Sequence, residues 1–212
     1  GLTSSQIVFV DKSGTSLIVE GDELIIGEEE EKAFSNFYYS QIETVEDVEI
    51  ETFQNGIKYI SSSKTEATLE YGAEVMESLS SAKLFGTQYT TVYDLNALTI
   101  RVYLFHDYSQ FIEFDLMQEL SQEDRKLMIA DLFPEDSKGY QHYHKYNDEE
   151  HPEGFLEDLV AQSGEISEQE LSEMGFNSII NMIGYEWLNE KSNTKAAIRI
   201  FEYGTSLMPN DA

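Results

Sequence analysis

Apolar and polar positions alternate along the first forty residues and recur at helical spacing along the last fifty, so a strand-rich front precedes a helical rear. Ile7 to Val10 and Ser16 to Glu20 are short β-branched runs. Between them stands Asp11-Lys12-Ser13-Gly14, a polar cluster with a glycine able to take positive φ, which predicts a hairpin. Glu20-Gly21-Asp22 turns the chain again into Glu23 to Ile26, and Ala33 to Tyr39 reads as a fourth strand of the meander. From Thr65 to Leu79, the residues Ala67, Leu69, Ala73, Val75, Met76 and Leu79 keep a broadly helical spacing with Glu on the other face. This predicts the first helix. Thr87 to Tyr93, Thr99 to Phe105 and Phe111 to Phe114 are aromatic and β-branched runs, separated by the turn-like Asp94-Leu95-Asn96-Ala97 and His106-Asp107-Tyr108. They predict three further strands, buried on at least one face and lying beneath the helix.

Between Pro134 and Gly164 the composition shifts to Asp, Glu, His, Gly and Tyr, which predicts a linker with a short helix near Phe155 to Val160. Ser167-Glu168-Gln169-Glu170 is a capping box, so a helix begins near Glu168 and its apolar positions run through Leu171, Met174, Phe176, Ile179, Ile180, Ile183, Tyr185, Trp187 and Leu188. Asn189 to Asn193 break it, Thr194 caps a second helix over Lys195 to Leu207, and Pro209 stops that one. The pair predicts an antiparallel helical hairpin. The resulting division is a sheet domain over 1–133, an acidic, His-rich linker over 134–165 and a helical hairpin over 166–212. Val8, Val10, Leu17, Val19, Ile25, Phe37, Tyr93, Ile100, Tyr103 and Phe105 are the expected core of the first. Ile183, Trp187, Leu188, Ala197, Phe201 and Leu207 are expected to meet between the two helices of the last.

Composition narrows the function. The 212 residues carry 13 Lys+Arg against 41 Asp+Glu, a net charge of −28 that repels a phosphate backbone and an anionic membrane surface alike. Nucleic acid is thereby excluded as a partner. No run approaches the roughly 20 consecutive apolar residues of a spanning helix, so membrane insertion is not expected, and the first residues lack the regions of a secretion signal. The compartment stays open between cytoplasm and periplasm. Gly1, standing where an initiator Met would, implies a trimmed start. With 41% hydrophobic and 12% aromatic residues the chain has the material for a core, and with no Cys it has neither disulfides nor thiolate chemistry of its own.

Four groups of residues invite a chemical reading. The Glu28–Glu31 run points its carboxylates in different directions and reads as a solvated loop. His142-Tyr143-His144 with His151, Asp148 and Glu149 has zinc-type donors, because alternate residues of a strand share a face; as a polar linker its histidines are solvated, and no metal or other cofactor is assigned. Thr87, Thr90 and Thr91 have no nearby base and read as strand residues. His106 beside Asp107 has the elements of an acid–base pair but sits at a strand end by a turn, where a structural His is the simpler reading.

Two stretches carry a resemblance. Ile183-Gly184-Tyr185, then Ala197, Phe201, Gly204 and Pro209, with steps of four, three and five residues, resemble a tetratricopeptide repeat; the turn at Asn189 to Asn193 is one residue longer. The front resembles the C-terminal half of the linear amide C–N hydrolases, the choloylglycine hydrolase and penicillin acylase family. The strings are Gln6 to Gly14, Leu17 to Gly21, Ser35-Asn36-Phe37-Tyr38, Gly86 to Leu95, and Val102-Tyr103-Leu104-Phe105-His106, over about residues 5 to 120. The resemblance implies an α+β fold, a layered sheet-and-helix half of an αββα N-terminal-nucleophile hydrolase, followed here by the C-terminal antiparallel helix pair. It also implies an N-terminal Cys attacking a linear amide with its own amine as base, a nucleophile this chain lacks.

Two site residues follow from the resemblance. Asn36 falls where the family has an Asn whose amide helps hold the tetrahedral oxyanion, and such a donor is worth about 2.7 to 4 kcal/mol. Lys58, in Gly56-Ile57-Lys58-Tyr59, falls near the family's Arg-Tyr, and Lys keeps the charge but loses the planar fork. The expected function is a fragment of a hydrolase or acyltransferase of linear amide C–N bonds, inactive alone, with a small N-acyl amide as substrate. The alternative is a non-catalytic binding or scaffold module on a degenerate hydrolase fold, recruiting a protein partner through the helical repeat.

Overall fold

The computed structural model describes residues 6–27, 33–35, 37–62, 66–79, 88–164 and 166–210. They fold as two compact units, Gly1–Leu127 and Met128–Ala212. The fold is mixed α+β, with two small antiparallel sheets and eight α-helices among the described residues.

In the first unit, β1 (Gln6–Val10), β2 (Ser16–Glu20) and β3 (Glu23–Gly27) pair in that order. The Asp11 carboxylate closes the first turn by accepting from the Ser13 and Thr15 amides at 2.8 and 3.2 Å, and Gly14 there takes a φ of 86°. Val8, Ile18 and Ile25 stand in one row on one face, where Ile18 is fully buried and Ser16 and Glu20 lie beside it. Val10, expected in the core, is exposed, because it ends an edge strand. Residues 33–35 and 37–38 form no strand; a single 3₁₀ turn, Tyr39–Gln41, follows them. Two helices then pack together, α1 (Glu51–Ser62) and α2 (Leu69–Leu79), with Gly56 seated against the Leu79 side chain so closely that a Cβ would collide.

The second sheet is β4 (Tyr89–Asp94), β5 (Thr99–Leu104) and β6 (Ile112–Asp115), with short α3 (Leu116–Leu120) capped by the Asp115 carboxylate. Helix α2 lies on β4, where a Cβ at Gly72 would stand 2.6 Å from Val92. Arg101 of β5 fastens the helix to the sheet: it donates to Glu70 at 2.6 Å and to Glu113 at 2.8 Å, and its guanidinium lies 4.3 Å from the Phe111 ring centre. The core of this sheet is Val102, Tyr103 and Leu104. Tyr93, expected inside, is exposed on the edge strand β4.

In the second unit, the stretch expected as a linker carries α4 (Lys138–Tyr146) and α5 (Gly154–Ser163), and Phe155 and Leu156 are buried. Ser137 caps α4 through its hydroxyl, which accepts from the Tyr140 amide. The single helix expected from Glu168 is two, α6 (Glu168–Glu173) and α7 (Phe176–Asn189), because Gly175 takes a left-handed φ of 76° between them. The capping box forms, with the Ser167 amide donating to Glu170 at 2.9 Å. α8 (Thr194–Leu207) runs back along α7, capped by Asn193 rather than Thr194. Gly184 faces the Phe201 ring and Gly204 faces Ile180, a pairing that requires antiparallel helices in close approach. Of the six residues expected between the helices, Ile183, Trp187 and Ala197 are buried, and Leu188, Phe201 and Leu207 are half-buried; Ile200 is buried as well.

Candidate functional site

The most ordered polar constellation of the first unit is built on Glu20, the last residue of β2. Alternation along the strand turns its side chain to the buried face, where it is only 5% exposed. A carboxylate there must be hydrogen-bonded. Its Oε1 accepts from the Tyr39 amide at 2.7 Å and from the Gln6 side chain at 2.6 Å, and its Oε2 accepts from the Ser40 amide at 2.9 Å. The Gln6 amide also donates to the Phe37 carbonyl at 3.0 Å. Burial raises the carboxyl pKa, but the Ser40 and Tyr39 amides and the Gln6 side chain outweigh it, and Glu20 is held below the usual carboxylate range. Phe37 then anchors the segment, its ring 5.0 Å from Tyr39 and 4.9 Å from Phe53 of α1.

Glu20 thus fixes residues 37–40, the backbone that leads directly from Asn36. Asn36 itself lies outside the described residues. Lys58 is exposed on α1, about 140° around the helix from the buried Phe53. Its side chain therefore leaves the face that meets Phe37. No sequence signal distinguished Glu20 as the organising group; its only trace is a charged residue at an alternation position that should be apolar.

A second constellation lies on the β4–β5–β6 sheet. Thr90 is buried and its hydroxyl meets the Tyr108 hydroxyl at 2.9 Å, while Tyr108 donates to the Met76 carbonyl at 3.2 Å. These are packing contacts, and among the described residues no base hydrogen-bonds to Thr90. Thr87 lies outside the described residues. His106 and Asp107 do not pair: Asp107 accepts from the Ser109 amide and hydroxyl, and both ring nitrogens of His106 are buried without a hydrogen-bond partner. Burial alone lowers the His106 pKa. The preceding Phe105 takes a φ of 57°, a left-handed backbone that turns the chain out of β5.

The three remaining histidines do not converge. On helix α4, His142 and His144 point about 160° apart rather than sharing a face as they would on a strand. His142 meets the Phe155 ring edge-to-face, His144 lies 3.7 Å from Asp131, and His151 bridges Glu153 and Glu157 at 3.5 and 2.9 Å. Arg199 joins that last group through Glu153 and the Glu150 carbonyl, tying α8 to the start of α5. Among the described residues no group of three or more His, Cys, Asp or Glu is placed to hold a metal ion.

On the helical hairpin a groove of about 280 Å³ is lined by Asn177, Ile180, Asn181, Phe201, Gly204 and Thr205. Met182, Tyr185 and Ile198 stand exposed on the same two helices. No helix among the described residues is long and apolar enough to cross a membrane. No protein family, curated protein or solved structure matches the chain.

Proposed function

We propose that this chain is the non-nucleophilic part of a hydrolase, or acyltransferase, acting on linear amide C–N bonds, in the layered αββα arrangement of N-terminal-nucleophile enzymes. The observation that carries this is the Glu20 clamp. Glu20, in the string Leu17 to Gly21, accepts from the Tyr39 and Ser40 amides directly after the string Ser35 to Tyr38, and Gln6, in the string Gln6 to Gly14, donates to the Phe37 carbonyl at 3.0 Å. Two further strings fall on β4 and β5, which pair residue by residue from Tyr89 with Leu104 to Asp94 with Thr99. Strings that are scattered in sequence are therefore neighbours in the fold.

In this reading a cysteine outside the 212 residues supplies the thiol, and its own α-amine takes the thiol proton. Attack on the amide carbon forms the S–C bond and places negative charge on the carbonyl oxygen. In this reading the Asn36 side-chain amide donates to that oxygen as charge develops on it. The C–N bond then breaks, the protonated α-amine returns its proton to the leaving amine, and water releases the acyl group from sulfur. The substrate is a small N-acyl amide, and no cofactor takes part.

The test is the natural gene product incubated with a panel of N-acyl amides and read by mass spectrometry, with the mature N-terminus sequenced in the same sample. Hydrolysis together with an N-terminal Cys, abolished by replacing that Cys with Ala, supports the enzyme. Absence of turnover with no Cys at the mature terminus contradicts it.

A second reading rests on the helical hairpin. The groove between α7 and α8 and the exposed Met182, Tyr185 and Ile198 suit a tetratricopeptide-like surface that recruits a protein partner, which requires no chemistry. A pull-down in which Tyr185→Ser and Ile198→Ser together abolish capture supports it, and capture unchanged by both contradicts it.

A further inference from the structure

Nine consecutive residues, Leu120 to Met128, are exposed, the longest such run among the described residues, and Glu123 to Met128 belong to no helix, strand or turn. The run closes the first unit, whose last residue is Leu127. It is also where the backbone stops bonding to itself. The Ser121 and Gln122 amides still donate to the Gln118 and Glu119 carbonyls at 3.1 Å, and the next backbone bond is that of the Asp131 amide to the Met128 carbonyl at 3.1 Å. Among the described residues the amides of 123–128 and the carbonyls of 122–127 have no partner. Exposed backbone of this kind is bonded to water, which gives way readily to another donor or acceptor.

The sequence adds an independent feature at the same place. Arg125 and Lys126 are adjacent, and nowhere else in the 212 residues do two of the 13 basic residues adjoin. Arg125 donates to Gln122 at 2.6 Å and pairs with Glu119, contacts at the surface, and Lys126 makes no ion pair among the described residues. Surface pairs of this kind are weak and screened, so both cations can be taken up by another protein. Leu127 and Met128 follow, 43% and 51% exposed. Contacts on either side of Lys126 divide cleanly. Those of Arg125 reach back to Glu119 and Gln122, whereas Met128 reaches forward, accepting from the Asp131 amide and from the Tyr143 hydroxyl at 3.4 Å. No hydrogen bond or ion pair made by residues 120–128 crosses the Lys126–Leu127 bond. Most of the other described basic residues lie within helices or strands, as Lys58 does in α1 and Arg101 in β5.

We propose that Arg125-Lys126 is a processing site, cut after Lys126 by an endoprotease that reads paired basic residues. Such an enzyme binds its substrate extended, as an added strand bonded through the substrate backbone, and holds the two cations against its own carboxylates. A segment with no backbone bonds of its own enters without the local unfolding that a cut within α1 or β5 would require. Water then adds across the Lys126–Leu127 amide: its oxygen joins the Lys126 carbonyl carbon, the C–N bond breaks, and both of its hydrogens end on the Leu127 nitrogen, leaving a carboxylate and an ammonium. The products are residues 1–126 and 127–212. This proposal stands apart from the hydrolase reading, since it uses none of the residues assigned to chemistry.

The test uses the full 212-residue protein, a subtilisin-type serine endoprotease specific for paired basic residues, and intact-mass spectrometry. Expected is one cut under native conditions, giving 1–126 and 127–212, and slowed about tenfold or more in Arg125→Gln, which loses a charge-assisted contact to the enzyme. Trypsin, which needs one basic residue, should still open the Lys126–Leu127 bond in that variant, so that its loss to the first enzyme reports the pair rather than a changed fold. Circular dichroism compares the two uncut proteins. Equal cutting of the variant by the paired-basic enzyme would overturn the pair as the recognition element, as would no cut by that enzyme where trypsin opens the bond. No cut after Lys126 by either enzyme would overturn the accessibility of the segment and the proposal with it.

Discussion

Replacing Lys191 by Met should destabilise the second unit by about 2 kcal/mol, and the structure allows that figure to be built up. Lys191 lies in the turn between α7 and α8, where Ser192 takes a φ of 54° and the Lys191 amide donates back to the Glu186 carbonyl at 3.1 Å. The fold-back lays the ammonium 4.0 Å from the Trp187 ring centre and 4.8 Å from that of Tyr146, with Glu186 at 3.1 Å. Nζ is buried and makes no well-aligned hydrogen bond, so the two rings and the carboxylate are what compensate its lost hydration. The Tyr146 hydroxyl in turn donates to Glu186 at 2.5 Å, joining α4 to α7.

A cation on a ring face is worth about 0.5–1 kcal/mol when exposed and about 2 when desolvated. Two faces at a side chain 24% exposed therefore give about 1.5 kcal/mol, and the partly exposed ion pair adds about 0.5. Methionine keeps the stem and its packing, which isolates the charge. The assay is urea unfolding followed by the fluorescence of Trp187, the chain's one tryptophan, which sits buried in α7 and reports the second unit directly. With a slope of about 2 kcal/mol per molar urea, the midpoint should fall by about 1 M at unchanged slope. A shift under about 0.2 M would refute the reasoning and make the ammonium a bystander.

Further outcomes follow from other contacts. Glu20→Gln should cost about 1–3 kcal/mol, since an ionised acceptor is lost from three hydrogen bonds, and should speed amide exchange at Tyr39 and Ser40. Because Glu20 has a lower pKa folded than unfolded, its contribution is present above the usual carboxylate range and is lost as pH falls through the folded value; unfolding midpoints between pH 5 and 2 should show the acid limb shrink in Glu20→Gln. His106 also has its pKa lowered, by burial, so the native state opposes its protonation and stability drops as pH falls below about 6.5. His106→Phe removes two unpartnered nitrogens and should gain about 1 kcal/mol at pH 5 while flattening that limb, measured by thermal melts from pH 8 to 5. Gly184→Val should cost about 1–3 kcal/mol by forcing the Phe201 ring off α7, read as a lower midpoint in the Trp187 assay.

The elements that the sequence made legible are those whose signals are local. The β1–β2 turn is Asp11 hydrogen-bonding its own backbone, and the α6 start is a Ser–Glu box; both are complete within a few residues. The elements that escaped depend on distant partners. Ala33 to Tyr39 is aromatic enough to read as a strand, yet Glu20 takes the Tyr39 and Ser40 amides and Gln6 the Phe37 carbonyl, so side chains replace a strand neighbour. α1 has a glycine in its interior, Gly56, which weakens a local helix signal and is accounted for only by Leu79 of α2, whose side chain occupies the space of a Cβ. α4 was hidden by its Tyr, His and Gly content, and its helical geometry is what separates His142 from His144. Of the candidate site, the sequence pointed to the neighbourhood of Asn36 through a resemblance, whereas the Glu20 clamp that organises it was visible only once the strand's two faces were assigned.

The most direct measurement is the kcat/KM of the natural gene product on its best N-acyl amide, compared with that of its Asn36→Ala variant at matched folding. Loss of an oxyanion donor predicts a fall of about 10²–10³ carried by kcat, with KM little changed. An unchanged kcat in a folded Asn36→Ala protein would contradict the placement of Asn36 in the reaction, and no turnover of any N-acyl amide by the natural gene product would contradict the assignment of this chain to amide hydrolysis.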